Sequence, residues 1–581
     1  MVPTAAGHRF GRRAVRNRGV SREARTIAYR ARLRRPGPWT WGSLLVAGLV
    51  ALPLVAVFVM ALWPEENIWP HLAATVLPRY LTTTVLLMTA VGAGTLTIGI
   101  TGAWLVTMYR FPGRRLFEWA LLMPLAVPAY VIAYVYTDLL EYAGPVQGAI
   151  RAVFGFDSAA DYWFPEIRSL PGAAIMMTAV FYPYVYLLAR AAFLEQSLCV
   201  LEVSRTLGCG PWASFRRVAL PLARPSIVVG LALVLMETLN DFGTVDYFAV
   251  QTLTAGLYNV WLILHNRAGA AQIALVLMGF VVLLIVAERL GRRRRGYQAT
   301  STRTRSSAGV RLTGWHAPLA TVACALPIVV GFVVPVAVLT RHAVVRFEES
   351  WNAGFLTHAL SSLGLSAGAA LIAVAIGLFL AYAVRLDGGR GLRLLVRFAS
   401  LGYAIPGAVL AVGVLTVLAG IDNTVDAIME GTFGIDTGLL LSGTVFALLF
   451  AYTVRFLALS HGTLEAGLGR VRPSLDMAAR TLGRTPGQVL REVHAPLVRG
   501  SLLTAALLVF VDCMKELPAT LILRPFNFET LATHVYQFAS DELLEQSALA
   551  ALSIVLVGLI PVLLLSRSIS RARDWGQGGP A

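Results

Sequence analysis

Long apolar runs separated by short polar segments recur along the whole chain. A helix needs about 20 apolar residues to cross the hydrocarbon core of a bilayer, and most of these runs reach that length. The pattern therefore predicts an all-α integral membrane protein with about twelve transmembrane helices. The candidate spans lie near residues 41–63, 81–109, 117–140, 171–194, 225–249, 271–288, 317–340, 359–384, 398–420, 438–460, 501–523 and 548–566.

The second half of the chain repeats the first at an offset of 275 residues, which widens to 278 at Pro128 and Pro406. Six spans in each copy, an even number, give the two copies the same orientation in the membrane. The fold predicted is thus two fused parallel six-helix repeats related by an axis along the membrane normal. The pairs that define the offset are Gly102 and Gly377, Arg110 and Arg385, Gly208 and Gly483, and Pro221 and Pro496.

This repeat divides the chain into five parts. An Arg-rich tail and a second tail flank the two repeats, and an Arg-rich linker joins them. Each repeat contains one long polar loop that we expect to face the cytoplasm. The predicted bounds are 1–40 for the first tail, 41–290 for the first repeat with its loop at 195–224, 291–316 for the linker, 317–566 for the second repeat with its loop at 461–500, and 567–581 for the second tail.

Composition and charge agree with a membrane protein. The chain is 57% hydrophobic and only 14% charged, against about 25% charged residues in soluble domains, which excludes a disordered chain and a soluble enzyme core. The segments predicted inside carry about 39 Arg and those outside about 7, so the positive-inside rule places both termini in the cytoplasm. Because orientation accounts for the net charge of +17, we expect no nucleic-acid partner.

The sequence contains no motif typical of nucleotide binding, metal binding or catalysis. Lys515 is the only lysine, so there is no phosphate-binding G-x-x-x-x-G-K-[ST] loop. The four cysteines form no C-x-x-C pair, and the nine histidines are dispersed. We therefore expect no catalytic residue, no confident metal site and no cofactor in this chain, and we interpret His494 as a surface histidine.

The two polar loops match each other closely. The first reads EVSRTLGCGPWASFRRVALP (202–221) and the second MAARTLGRTPGQVLREVHAP (477–496). Gly208 and Gly483 can end a short helix in a left-handed conformation, and a proline at the first position of the next helix follows each of them. In the second loop Thr485 can cap that next helix. The pattern indicates a helix-turn-helix docking surface in each repeat.

These loops resemble the E-A-A, Gly, I-x-L-P signature of the membrane subunits of binding-protein-dependent ABC importers. The resemblance implies that the helix before each glycine couples the permease to one of two copies of a cytoplasmic ABC ATPase, which binds ATP and Mg²⁺, and that a periplasmic substrate-binding protein delivers the substrate. The loops depart from the signature with Val-Ser for Ala-Ala in the first copy and Met for Glu in the second. The residues that carry the resemblance are Glu202, Val203, Ser204, Gly208, Val218, Leu220 and Pro221 in the first loop and Met477, Ala478, Ala479, Gly483, Val493, Ala495 and Pro496 in the second.

The fifth and eleventh candidate spans contain acids at matching positions. Glu237 and Asp241 correspond to Asp512 and Glu516 at the offset of 275, and Lys515 can neutralise one of the second pair. A charge at the centre of a membrane helix costs about 2.5–3.5 kcal/mol, and an i, i+4 pair projects from one helix face. We expect the acids to line a pathway or gate. Coordination of a hard cation and a structural or partner-contact role remain open alternatives.

The stretches around these acids, 236–261 and 510–542, resemble those of fused ferric-iron importer permeases of the bacterial inner membrane. The resemblance implies ferric iron as the substrate. Thiamine, polyamine and other small-solute importers share the signature, so they remain alternatives. An ion-coupled secondary transporter also has repeats and buried acids, but it needs no duplicated docking loop and no partner ATPase.

Overall fold

The computed structural model describes residues 37–195, 204, 206–293 and 310–575. Within them the chain is almost entirely helical, because a helix satisfies its own backbone hydrogen bonds where no water is present. The only strands in these segments are Tyr109–Arg110 and Val310–Arg311, which pair in parallel. This short pairing ties the end of the linker to the first repeat.

The first repeat follows the predicted order of spans. Its described helices are Pro38–Leu62, Trp69–Ala74, Leu77–Met108, Arg114–Ala120, Ala129–Leu140, Pro145–Phe154, Leu170–Glu195, Pro211–Ser214, Leu220–Asn240, Gly243–Tyr247, Leu253–Tyr258 and Arg267–Arg293, with a 3₁₀ turn at Met123–Ala126 and π-helical segments at Phe215–Ala219 and Asn259–Ile263.

The second repeat has a similar order of elements. Its helices are His316–Ile328, Val334–Val345, Phe347–Ser350, Ala353–Asp387, Arg390–Ala399, Gly407–Phe433, Val445–Gly469, Pro473–Thr481, Pro486–Val489, Ala495–Leu497, Arg499–Met514, Pro518–Leu523, Leu531–Ser540 and Leu544–Trp575, with a 3₁₀ turn at Gly402–Ala404 and π-helical segments at Val329–Val333 and Leu490–His494. The π-helical segments Phe215–Ala219 and Leu490–His494 occupy equivalent positions in the two repeats.

Ten continuous helices are long and apolar enough to cross a membrane, and two bent pairs bring the number to as many as twelve in the described part of the chain. The third predicted span is one of these pairs. It bends by 91° between Arg114–Ala126 and Ala129–Phe154, at the prolines that the sequence marks. The other pair, Pro486–Leu497 and Arg499–Met514, bends by 79°.

Several predicted spans have wrong bounds. The tenth, predicted at 438–460, lies at Val445–Gly469. The ninth, predicted from residue 398, begins at Gly407, because the preceding residues form the separate helix Arg390–Ala399 and a 3₁₀ turn. The fifth, predicted to residue 249, ends at Asn240, and the eleventh, predicted to 523, ends at Met514. Both helices end early because a carboxylate side chain accepts backbone hydrogen bonds just beyond the last helical residue.

The first helix of each repeat contacts the other repeat. Pro38–Leu62 packs against Gly407–Phe433 of the second repeat, so closely that a Cβ on Gly413 would lie 2.3 Å from the Pro53 carbonyl oxygen. In return, the Tyr136 hydroxyl of the first repeat donates a 2.9 Å hydrogen bond to the Val330 carbonyl oxygen in the first span of the second. Both large apolar clusters of the core contain residues from both repeats. The repeats are therefore interlocked.

Candidate functional site

The four predicted pathway acids lie where two membrane helices end. The backbone of Asp241 is extended (φ −66°, ψ 131°), and Lys515 and Glu516 follow the last residue of the helix Arg499–Met514. The expectation that each acid pair shares one face of a continuous helix is therefore wrong. Only the first acid of each pair, Glu237 and Asp512, is helical.

Hydrogen bonds hold the acids of the first repeat. The Asp241 carboxylate accepts from the Thr244 backbone N–H at 3.0 Å and from the Thr244 hydroxyl at 2.9 Å, which explains why the helix ends there and a new one begins at Gly243. The Glu237 carboxylate accepts a 2.8 Å hydrogen bond from the Tyr403 hydroxyl. Tyr403 belongs to the second repeat, so this contact crosses the interface.

Ion pairs hold the acids of the second repeat. Arg455 Nη1 lies 3.0 Å from Glu516 Oε1, and both side chains are about 95% buried, with exposures of 6% and 5%. Lys515 Nζ lies 2.8 Å from Asp512 Oδ1. Glu516 Oε1 also accepts a 3.0 Å bond from the Ala519 backbone N–H, so this carboxylate starts the next short helix as Asp241 does in the first repeat.

All four acids line one cavity of about 90 Å³ between the repeats, together with Lys515. Arg455, Tyr130, Tyr184, Tyr403 and Asn240 also line this central cavity. The Tyr130 hydroxyl is buried and has no hydrogen-bond partner among the described residues. The structure thus brings together residues that are far apart in the sequence.

The sequence interpretation missed Arg455, which neutralises Glu516. A signal was present, because Arg455 is a charge inside the apolar run 438–460 and charged residues within membrane spans mark functional positions by default. The tyrosines carry no comparable signal, since aromatic residues are ordinary components of apolar helices. Asn240, whose side-chain oxygen accepts a 2.7 Å bond from the Gly407 N–H, was also missed.

The second polar loop forms the predicted helix-turn-helix. The helix Pro473–Thr481 contains Met477, Ala478 and Ala479, and Gly483 follows it with φ +77°. Thr485 caps the next helix in a capping box with Gln488. Met477 is 62% exposed, while Ala479 is buried. Pro496 lies in the helix Ala495–Leu497.

A polar clamp (Arg385, Asp476 and His494) fastens this loop to the end of the helix Ala353–Asp387. Arg385 Nε donates to Asp476 Oδ2 at 2.9 Å, and Arg385 Nη2 donates to the Val471 carbonyl oxygen at 2.9 Å. His494 Nε2 contacts the other oxygen of Asp476. His494 is fully buried, so its interpretation as a surface residue is wrong, because the clamp and the Tyr382 ring beside it exclude solvent.

The first polar loop is described in part. Glu202 and Val203 lie outside the described residues. The hydroxyl of Ser204 is buried and lies 2.6 Å from that of Ser214. Gly208 has φ +82°, as its position in the signature predicts, and Pro221 lies in the first turn of the helix Leu220–Asn240.

Both loops present a leucine directly before the left-handed glycine. Leu207 is 77% exposed and its repeat counterpart Leu482 is 81% exposed. Trp212 and Met477 are also exposed nearby. Exposed apolar side chains at equivalent places in two repeats are typical of a surface that binds a partner.

Two known proteins are similar to this chain over most of its length. The chain is 26% identical over 547 residues to the Fe(3+)-transport system permease protein FbpB 2 of Haemophilus influenzae, covering 92% of this chain and 99% of the relative. It is 22% identical over 529 residues to the ferric transport system permease protein FbpB of Actinobacillus pleuropneumoniae, covering 86% of this chain and 73% of that protein.

Other relatives match a shorter stretch. The molybdenum transport system permease protein ModB of Escherichia coli is 26% identical over 204 residues, which is 34% of this chain and 86% of ModB. The family of inner membrane components of binding-protein-dependent transport systems matches twice, at residues 95–296 and 373–574. These two matches cover more than half of the chain, one in each repeat. The protein therefore belongs to this family, as a multi-pass inner membrane permease with two fused permease units.

Proposed function

We propose that this permease gives ferric iron its route across the inner membrane. The observation that carries the proposal is the central cavity, where four carboxyl groups face two cationic groups, Arg455 and Lys515. Carboxylate and phenol oxygens are the ligands that hard cations prefer. Relatives named for Fe(3+) and ferric transport match nearly the whole chain, which supports the same substrate.

In this proposal the central cavity is part of the closed pathway. Contacts across the repeat interface, from Tyr403 to Glu237 and from Gly407 to Asn240, hold the two repeats together beside the acids. Relative movement of the repeats must break these bonds before anything larger than the cavity can pass. The acids thus combine two roles, since they keep the path closed and offer negative charge to a passing cation.

Energy for this movement comes from a separate ATPase. We infer two copies of it, one at each docking loop, with ATP and Mg²⁺ bound there and not on this chain. Leu207 and Leu482 are the exposed apolar contacts, and the polar clamp carries a push on Pro473–Thr481 directly into the helix Ala353–Asp387. A periplasmic binding protein brings the substrate to the opposite side.

This arrangement requires both termini and both docking loops to face the cytoplasm. A label that reaches only the periplasm is therefore expected to modify a cysteine placed at Asp157 or Asp436 and to leave one at Ser306 unmodified. Modification of Ser306→Cys from the periplasmic side would reverse the orientation and with it the docking proposal.

Uptake measurements test the substrate. Proteoliposomes that contain the permease and its ATPase are given binding protein loaded with radioactive ferric iron, and in parallel runs with sulfate, molybdate, thiamine or a polyamine. Only iron is expected to accumulate and to stimulate ATP hydrolysis. Accumulation of one of the other solutes without iron would replace ferric iron as the substrate and leave the importer class unchanged.

Acid variants test the pathway in the same vesicles. Asp241→Asn and Glu516→Gln keep the side-chain shape and remove the charge, so each is expected to lower iron uptake. Because sites in one network couple, the double variant is expected to lose less than the sum of the two single losses. Uptake at the unmodified rate in the double variant would remove the acids from the pathway and leave them as packing residues.

A further inference from the structure

Two histidines and a glutamate meet at the end of the helix Ala353–Asp387 opposite the polar clamp. His358 lies near the start of this helix, about 40 Å from Arg385 at 1.5 Å per residue. Glu529 and His534 come from the segment after the central cavity. One ligand atom from each of the three residues lies within 4.8 Å of the others, and all three side chains are half-buried.

The distances suit a metal ion better than direct hydrogen bonds. His358 Nε2 lies 3.8 Å and His534 Nδ1 lies 3.9 Å from the same atom, Glu529 Oε2, too far for either to be a hydrogen bond. Donors bound to a tetrahedral ion at about 2.0–2.1 Å are about 3.4 Å apart. A shift of about half an ångström, within reach of side-chain rotation, would bring each imidazole nitrogen to that distance from Glu529 Oε2.

The local fold presents these side chains in a fixed arrangement. Thr530, directly after Glu529, caps the helix Leu531–Ser540 in a capping box with Thr533, which places His534 in its first turns. The Leu531 N–H donates a 2.7 Å bond to the Ser362 hydroxyl, one turn along the helix from His358. The two elements that carry the three side chains are therefore held against each other.

The surrounding charges leave the ligand atoms available. Arg524 Nη1 lies 3.1 Å from Glu529 Oε1, so it occupies one carboxylate oxygen and leaves Oε2 facing the imidazoles. Burial and the neighbouring His358 lower the pKa of His534.

We propose that His358, Glu529 and His534 bind a divalent transition-metal ion such as Zn²⁺ or Co²⁺, which links the helix Ala353–Asp387 to the helix Leu531–Ser540. Two imidazoles and one carboxylate are a ligand set for catalytic-type zinc sites with one open position. The hydrogen bond from the Leu253 N–H to the Thr84 hydroxyl corresponds to that from Leu531 to Ser362 at an offset of 278 residues. At this offset the counterparts of the three residues in the first repeat are Tyr80, Gln251 and Gly256, so the site belongs to the second repeat alone. It does not depend on ferric iron being the transported substrate.

A cobalt titration tests the proposal. The full-length permease is purified through a histidine-free tag, placed in lipid nanodiscs and titrated with Co²⁺, whose visible absorption reports nitrogen and oxygen ligands in a low-coordinate site. One Co²⁺ per chain is expected to bind and to be displaced by Zn²⁺ but not by Mg²⁺, which prefers oxygen ligands.

Variants assign the site. His358→Gln, His534→Gln and Glu529→Gln are each expected to weaken Co²⁺ binding at least tenfold, while the exposed His71→Gln control leaves it unchanged. Each variant is first checked for a monodisperse elution profile, and the three independent substitutions guard against one that fails to fold. Equal binding in all variants, or no absorption band up to millimolar Co²⁺, would overturn the site.

Discussion

The two repeats hold equivalent acids by different means. In the first repeat, a tyrosine hydroxyl and the Thr244 N–H and hydroxyl bind Glu237 and Asp241. In the second repeat, Lys515 and Arg455 pair with Asp512 and Glu516. The counterparts of these two cations are Asn240 and Val180. Both repeats therefore contribute acids to the cavity, but the two cations that pair with acids there, Arg455 and Lys515, both belong to the second repeat.

The two docking loops also differ in the side chains that hold them. The second loop is clamped by Arg385, Asp476 and His494. In the first loop the residue equivalent to His494 is Ala219, and in the part of this loop that the structure describes a hydrogen bond joins Ser204 and Ser214. Among the described residues, the second repeat has ion pairs at the cavity where the first repeat has hydrogen bonds, and a further ion pair clamps its docking loop. We therefore expect the second repeat to move as the more rigid half.

The largest expected effect comes from Arg455→Met. Removing one partner of a buried ion pair leaves the other charge uncompensated, which costs about 3–5 kcal/mol. The free energy of unfolding should fall by that amount, measured by thermal or denaturant unfolding of the permease in nanodiscs.

Two further variants sharpen that result. Arg455→Met combined with Glu516→Gln removes both charges and should recover most of the lost stability. Lys515→Met, whose pair with Asp512 is more exposed (29% and 18%), should cost less than Arg455→Met. A double variant as unstable as the single one would show that Arg455 stabilises by packing and not by charge, and the contrast between the repeats would lose its basis.

A smaller effect is expected from valine at the two left-handed glycines. A β-branched residue at positive φ costs about 1–3 kcal/mol in strain, and a Cβ at either position would meet no atom within 4 Å, so strain and not collision decides. Gly483→Val and Gly208→Val should both reduce the ATPase activity that loaded binding protein stimulates, with Gly483→Val the more severe because the clamped loop cannot relax.

The matched control is asparagine, which adopts the left-handed region more readily than other residues with a Cβ. Gly483→Asn and Gly208→Asn should therefore retain most of the stimulated ATPase activity. Full stimulation in both valine variants would contradict the coupling role of the loops, and equal losses in the two repeats would contradict the difference in rigidity.

The smallest effect is expected from Tyr403→Phe, which removes the hydroxyl that binds Glu237 across the interface. The loss of one such hydrogen bond costs about 1–2 kcal/mol. If this contact helps to keep the pathway closed, ATP hydrolysis without binding protein should rise modestly in this variant. An unchanged basal rate together with lowered stability would limit Tyr403 to a structural role.

Much of this architecture could be predicted from the sequence, because span length, arginine distribution and the 275-residue offset are local or repetitive properties. The turn conformations at Gly208 and Gly483 were predictable for the same reason. The bounds near Asn240 and Met514 were not, since apolar residues continue past both and the helices end where Asp241 and Glu516 bind backbone N–H groups. Hydropathy does not encode such a local competition for hydrogen bonds.

The composition of the site was predictable only in part. The four acids and Lys515 stand out as charges in apolar runs, and their convergence follows from the repeat. Tyr403, Tyr130 and the polar clamp depend on distant segments meeting, as do His358 and Glu529. Contacts between segments that are far apart in the chain depend on how the helices pack, and a single sequence does not reveal this packing.

The π-helical segments after the two docking turns have a mechanical consequence. Each holds one residue more than an α-helical turn would, and its conversion to α-helix would advance the following helix by one residue, about 1.5 Å and about 100° of rotation. In the first repeat, the unbroken helix Leu220–Asn240 would carry this rotation to Glu237. In the second, the 79° bend before Arg499 separates the π-helical segment from Asp512. A twist that starts at the two docking turns would therefore reach the cavity from one side only.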